Sequence, residues 1–275
     1  MRRGFGFLMV VIAVVVVLAQ PAAAATGPMR FVTFHRPAGS GCVTTTGVKA
    51  AASGTGIGWD GARVLISCWA DQAIDRYTQA GGLVDVVTVH GLPGPGLGGL
   101  SWDADHHVWW ACAVNGEITN KALSQGVGYI TPDGSWHPAA IAPHGCINNV
   151  TYEAGRVYAD GAYANSHATS TTVDVGAVTV GSGGQLHLPA KLSDLHPVLW
   201  SPHTSGNLFD DAGNLQWQAD PFGSTKRIWH DGVLVLSTTL RVEQLACNEA
   251  TGTVYVKWFN QNRFGVIADS SGSGC

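Results

Sequence analysis

Charge is scarce in this sequence: only 12% of its 275 residues are Asp, Glu, Lys or Arg, about half the share usual in globular proteins. Only five residues are lysine, and no basic run follows the first few positions. Nucleic-acid binding needs clustered positive charge against phosphate, so that class of partner is excluded. Several chemical signatures are also missing. The chain has no Cys-x-x-Cys pair of the kind that builds a zinc site, no Gly-rich phosphate loop, no serine nucleophile elbow and no His-Glu-x-x-His helix. Long apolar runs are confined to one place, the N-terminus.

There, Arg2 and Arg3 precede an uninterrupted apolar run from Phe7 to Ala19, Gln20-Pro21 breaks it, and Ala22 to Ala25 offers a small-residue cleavage site. This is the layout of a secretory signal peptide over residues 1–25, and the run is too short to span a membrane comfortably. The expected mature protein, residues 26–275, is a single domain. It is secreted, extracellular or periplasmic, with no membrane association after cleavage, and monomeric. Without Arg2 and Arg3 it carries thirteen basic against nineteen acidic residues, a formal charge of −6.

What the chain does contain is a phrase that recurs five times. It reads Ile57-Gly-Trp-Asp-Gly-Ala-Arg-Val, Leu100-Ser-Trp-Asp-Ala-Asp-His-His-Val, Val150-Thr-Tyr-Glu-Ala-Gly-Arg-Val, Leu208-Phe-Asp-Asp-Ala-Gly-Asn-Leu and Leu245-Ala-Cys-Asn-Glu-Ala-Thr-Gly-Thr-Val. Each copy is an apolar strand end, an acidic or amide residue, a tight turn with a small residue, and a second apolar strand: a β-hairpin. Repetition at roughly 40–60 residues describes blades around an axis. With 36 glycines and little charge, the fold class expected is all-β, a β-propeller of five blades, or six if residues 189–202 hold a degenerate one. The strand at 29–35 has no partner nearby and the last copy has only three strands. The N-terminal strand therefore joins the last blade and closes the ring, removing two exposed edges.

The acidic residues of the phrase (Asp60, Asp103, Glu153, Asp211, with Asn248 in the last copy) are read as turn caps that accept bonds from nearby backbone N–H groups. The strand aromatics, Trp59, Trp102, Trp109, Trp110, Tyr158, Trp217 and Tyr255, are read as packing between blades. His106-His107 is a solvated turn, and Asn149-Val-Thr151, though it matches a glycan acceptor, falls in an inner strand. Six cysteines in a secreted chain favour disulfides. Blade positions suggest Cys42–Cys68, Cys112–Cys146 and Cys247–Cys275, with Cys68–Cys112 as the rival pairing.

Candidate chemistry lies where the inner strands begin. Asn148, Asn149, Asn207, Glu243 and Gln244 put amides and one carboxylate at the channel mouth. Oxygen donors converging on an axis are what calcium requires, and they equally hydrate a water-filled channel. His90, His144 and His203 stand in the loops entering three successive inner strands, and Arg241 stands at the similar place before the fifth. Three imidazoles suffice for zinc or copper, and one suffices for a general base.

The segment Gly206-Asn-Leu-Phe-Asp-Asp-Ala-Gly-Asn-Leu-Gln-Trp217 resembles the blades of propellers related to the SMP-30/gluconolactonase and NHL-repeat families. The resemblance implies one calcium in the channel mouth, with Glu243, Asn148 and Asn207 as the matching ligands. It points to a calcium-dependent lactonase- or esterase-like hydrolase of a small molecule, in which the loop residue His144 or His203 serves as general base. The alternative is a non-catalytic extracellular propeller that binds a glycan, peptide or surface partner.

Overall fold

The computed structural model describes residues 29–34, 54–68, 72–94, 96–114, 124–140, 149–162, 170–189, 196–200, 206–220, 225–258 and 261–268. The signal-peptide expectation for residues 1–25 lies outside these, as do His144, Asn148 and His203.

The described residues form five four-stranded antiparallel sheets. The first blade is β2 (Gly54–Trp59), β3 (Val64–Cys68), β4 (Ala73–Tyr77) and β5 (Leu83–Thr88). The second is β6 (Gly96–Asp103), β7 (Val108–Val114), β8 (Ser124–Ile130) and β9 (Trp136–Ala140). The third is β10 (Asn149–Glu153), β11 (Arg156–Ala162), β12 (Ser170–Ala177) and β15 (His196–Trp200). The fourth is β16 (Asn207–Phe209), β17 (Leu215–Asp220), β18 (Lys226–His230) and β19 (Val233–Thr238). The fifth is β20 (Val242–Asn248), β21 (Thr253–Trp258), β22 (Arg263–Ala268) and, outermost, β1 (Arg30–Thr33). The innermost strands close a ring: β2 packs on β6, β6 on β10, β10 on β16, β16 on β20, and β20 returns to β2. That ring, built blade by blade from consecutive strands, is a β-propeller.

The N-terminal strand closes it as expected, with Phe31 opposite Gly265 and Val32 opposite Phe264. The segment at 189–202 is not a sixth blade. Its β15 pairs with β12 and supplies the fourth strand of blade three. Without it the β12 edge would stand unpaired. The β-rich stretch before it also divides: after β12 comes a small hairpin of β13 (Thr179–Val180) and β14 (Leu186–His187). Leu186 and Leu188 of this hairpin fill the space between blades two and three.

The core sits between blades. Apolar clusters join blades one and two, two and three, four and five, and five and one. Between blades three and four, Tyr158 stacks on Phe209 with ring centroids 4.1 Å apart. Trp59 stacks on Tyr255 across the closing interface. Trp110, Trp217 and Trp258 are fully buried, and each such side chain stabilises the packing by roughly 2–3 kcal/mol. The aromatic stripe is thus mainly inter-blade packing. Each expected disulfide includes a cysteine outside the described residues (Cys42, Cys146 or Cys275). Among the described contacts, Cys112 Sγ lies 3.5 Å from the Asn149 carbonyl of the next blade.

Candidate functional site

The ring is stitched near its axis by side chains bonded to the backbone of the neighbouring blade. Ser67 Oγ accepts from the Gly56 N–H at 2.9 Å and donates to the Gly98 carbonyl of blade two. Ser101 Oγ accepts from the Tyr152 N–H of blade three at 2.8 Å. Thr151 Oγ1 donates to the Asn207 carbonyl of blade four at 2.8 Å. Gln244 of blade five reaches three other blades. Its Oε1 accepts from the N–H groups of Ile57 (2.8 Å) and Leu100 (3.3 Å), and its Nε2 donates to the carbonyls of Leu100 (2.9 Å) and Val150 (3.4 Å). Gln244 is 1% exposed, so at this level the axis holds a fully bonded amide. Space there is so tight that a Cβ on Gly56 would lie 2.2 Å from Ser67 Oγ and 2.5 Å from the Gly98 carbonyl oxygen. Gly56 is the residue that lets these strands approach.

Around this plug lie the residues expected at the mouth. Asn149 opens β10, Asn207 opens β16 and Glu243 is the second residue of β20, all buried. These are starts of consecutive innermost strands, as the sequence implied. Among the described residues of this set, the one carboxylate is already paired with cations. The Glu243 carboxylate lies 2.7 Å from the Arg241 guanidinium and feels the buried Lys257 ammonium. Burial nonetheless pushes its carboxyl above the usual range, and the two cations only partly oppose that. Calcium at such sites needs several oxygens with net negative charge, whereas here one carboxylate faces two cations. Among the described residues no three His, Cys, Asp or Glu side chains gather closely enough to hold a metal ion. His90 stands elsewhere, exposed on the rim between outer strands. Its N–H donates to the Gly134 carbonyl and its carbonyl accepts from Trp136. Asn149 is 1% exposed, which seals the glycan-acceptor tripeptide in the folded protein.

The hairpin end of the axis is open. A pocket of about 460 Å³ is lined by residues of all five blades, from the last residues of the innermost strands and the turns that follow. Leu100, Val150, Leu208 and Leu245 form its depth, next to the Gln244 plug, so it is a cup rather than a tunnel. Its walls carry Trp59, Trp102 and Tyr152, and its rim Asp105, Glu153, Asp211, Asn248 and Glu249.

The turn chemistry explains why these carboxyls face the pocket. Asp60, Asp103 and Asp210 cap their turns as expected, each Oδ1 accepting two backbone N–H bonds. In blade four the cap is therefore Asp210, and Asp211, which the sequence reading assigned to the cap, stands one residue further on. Blade three needs no cap. Glu153 pairs with Arg156 across a two-residue turn in which Ala154 (φ 45°) and Gly155 (φ 78°) are both left-handed, a type I′ geometry. Glu153, one methylene longer than aspartate, instead comes close enough to the Asp211 carboxyl to feel its charge. Burial first, then the Glu249 charge and the Asp211 contact, push its pKa up to about 8. At neutral pH burial and the neighbouring carboxylates therefore favour the protonated form of Glu153. Tyr152 donates its hydroxyl to Asp105 Oδ2 at 2.6 Å, and burial and that bond raise its pKa. The sequence did carry a signal for this end: aromatics at one phrase position in three copies (Trp59, Trp102, Tyr152) and a carboxyl at the next in four (Asp60, Asp103, Glu153, Asp211).

The raised Glu153 pKa fixes a pH dependence. A carboxyl whose folded pKa exceeds its unfolded value contributes stability that is present below about pH 4.5 and is lost as pH rises through about 8. Glu153→Gln, a neutral isostere, is expected to leave stability at pH 4 nearly unchanged. At pH 9 it should raise stability by roughly 1–2 kcal/mol, less than the full shift implies because water at the rim screens the carboxylates. Urea unfolding at the two pH values measures it; equal stability of wild type and variant at pH 9 refutes the assignment.

No protein-family model matches the sequence, and no curated protein matches it. Among solved structures, the chain is similar to a gluconolactonase from Xanthomonas campestris, with 13% identity over 91% of this chain and 98% of that chain, and a TM-score of 0.48.

Proposed function

We propose that this protein is a secreted, monomeric propeller that captures a small molecule in the cup at the hairpin end of its axis. One observation carries this reading: the pocket draws its lining from all five blades and includes Leu100 and Val150, whose backbones are held by the Gln244 amide. Concave sites with apolar walls and a few convergent polar groups are where small ligands bind. A floor fixed by four hydrogen bonds is pre-organised for such binding. Tight inter-blade packing makes the protein a rigid scaffold, as suits an extracellular binder.

The calcium-dependent lactonase- or esterase-like hydrolase at the opposite mouth is the competing reading. Burial of Asn149, Asn207 and Glu243 at adjacent strand starts favours it. The ion pair on Glu243 and the Gln244 plug weigh against it.

One experiment separates the two. Melting of the mature chain is followed with a panel of sugars, lactones, amines and calcium, in wild type and two variants. Ala250→Trp fills the pocket rim from an exposed turn, and Glu243→Gln alters the other end. Ligand-induced stabilisation lost in Ala250→Trp and kept in Glu243→Gln is the expected result. Stabilisation by calcium that survives Ala250→Trp and disappears in Glu243→Gln overturns the proposal in favour of the hydrolase.

A further inference from the structure

We propose that the ligand of the hairpin-end cup is an organic cation, an alkylammonium with a compact hydrocarbon body; this rests on the cup being the binding site. The lining residues include four carboxyl groups, Asp105, Glu153, Asp211 and Glu249, and no Lys, Arg or His. Such one-signed clustering in a concave, low-dielectric site focuses negative potential and attracts cations. The groups are placed by a ring that brings four different blades together, so their mutual repulsion is built into the fold rather than relaxed by rotation.

The walls refine the class. The indoles of Trp59 and Trp102 and the ring of Tyr152 stand beside those carboxyls. An aromatic face attracts a positive charge, most strongly when the charge is poorly hydrated. A bare divalent ion would gain nothing from the indoles or from the apolar depth of Leu100, Val150, Leu208 and Leu245. An ammonium carrying methyl or methylene groups uses all three elements: carboxylates for its charge, rings for its cationic face, and the cup floor for its hydrocarbon. A neutral sugar fits less well, because the rim is rich in acceptors and Tyr152 already spends its hydroxyl on Asp105. The lining supplies no positive charge of its own, so burial and the neighbouring carboxylates leave Glu153 holding its proton at neutral pH. A bound cation replaces that proton, so binding strengthens as pH rises.

Isothermal titration of the full mature chain tests this with choline, its uncharged isostere 3,3-dimethylbutan-1-ol, glucose and calcium chloride, at pH 6 and pH 9. The expected result is saturable choline binding, tighter at pH 9, and at least tenfold weaker for the uncharged isostere. Weakening of about tenfold is expected in Trp102→Ala, where the cation–aromatic contact is lost. Glu249→Gln, an exposed turn position, should show a similar loss and guards against misfolding of the tryptophan variant. Equal binding of the isostere, or binding of glucose alone, overturns the cation proposal and leaves the cup as a binding site. Calcium binding that excludes choline and is lost in Glu249→Gln overturns it in favour of a metal. If no probe binds and Ala250→Trp changes nothing in the wider panel, the reading of the cup itself falls.

Discussion

Replacing Gln244 with alanine is expected to destabilise the protein by about 3–5 kcal/mol, a loss seen only when a buried polar network is broken. The argument rests on what stays behind. The N–H groups of Ile57 and Leu100 and the carbonyls of Leu100 and Val150 all bond this one amide, and none of them can reach water once it is gone. Gln244→Leu should cost nearly as much, because it keeps the volume and abandons the bonds. Gln244→Glu adds a carboxylate facing two carbonyl oxygens, so its stability should improve as pH falls and the acid becomes a donor. Urea unfolding gives the free energies. Hydrogen exchange at the Ile57 and Leu100 amides locates the loss, since both should lose protection before the rest of the sheet. A change under about 1 kcal/mol for Gln244→Ala would mean that water fills the gap and that the axis is not dry.

The second large effect is at a turn. Asp103→Ala is expected to cost about 3–4 kcal/mol, against about 1 kcal/mol for Asp60→Ala and Asp210→Ala. All three cap equivalent turns of the repeated phrase. They differ in burial and in the second carboxylate oxygen. Asp103 is fully buried, and its Oδ2 accepts from the Trp110 indole N–H at 2.9 Å and pairs with His106 Nδ1 at 2.8 Å. Its removal strands the indole donor in the core between blades two and three. The other two caps lie at exposed turns where water replaces the lost oxygen. Asp103→Asn keeps one acceptor for the turn and should fall between. Thermal unfolding of the four variants gives the ranking. Equal costs at Asp103 and Asp60 would show that the turn alone, and not the indole, sets the value.

Much of the fold was legible because its signals are local. A hairpin declares itself in strand alternation and turn residues, and five copies of one phrase left a propeller as the economical arrangement. Ring closure followed from counting: a lone strand before the first blade and a missing strand in the last. What failed was also local in origin. The β15 strand sits in a proline-bearing stretch after an inserted hairpin, so nothing nearby marked it as the missing edge of blade three. The cap of blade four was misassigned between two consecutive aspartates, Asp210 and Asp211, which look alike in sequence. Only the turn geometry tells them apart: Asp210 accepts the Ala212 and Asn214 N–H groups, and Asp211 faces Glu153.

The site was much less legible. The strand-start residues Asn149, Asn207 and Glu243 do gather on consecutive inner strands, as the blade alignment implied. Their meaning depended on neighbours that no alignment supplies, namely the Arg241 guanidinium on Glu243 and the Lys257 ammonium. The hairpin end was read as structural because each acidic residue, taken within its own turn, is a sufficient cap. That is true of Asp60, Asp103 and Asp210. It is not true of Glu153, whose I′ turn closes without it.

The amino-acid order alone determined that strands would be short, paired with their sequence neighbours, and joined end to end into a wheel, because alternation and turn chemistry act over a few residues. That the hairpin end of the wheel is hollow was decided only in three dimensions. Gln244 must meet three other blades before it can close the axis. Glu153, Asp211 and Glu249 must come from three separate turns before they share one charge field, and such convergence is a property of the closed ring rather than of any segment in it.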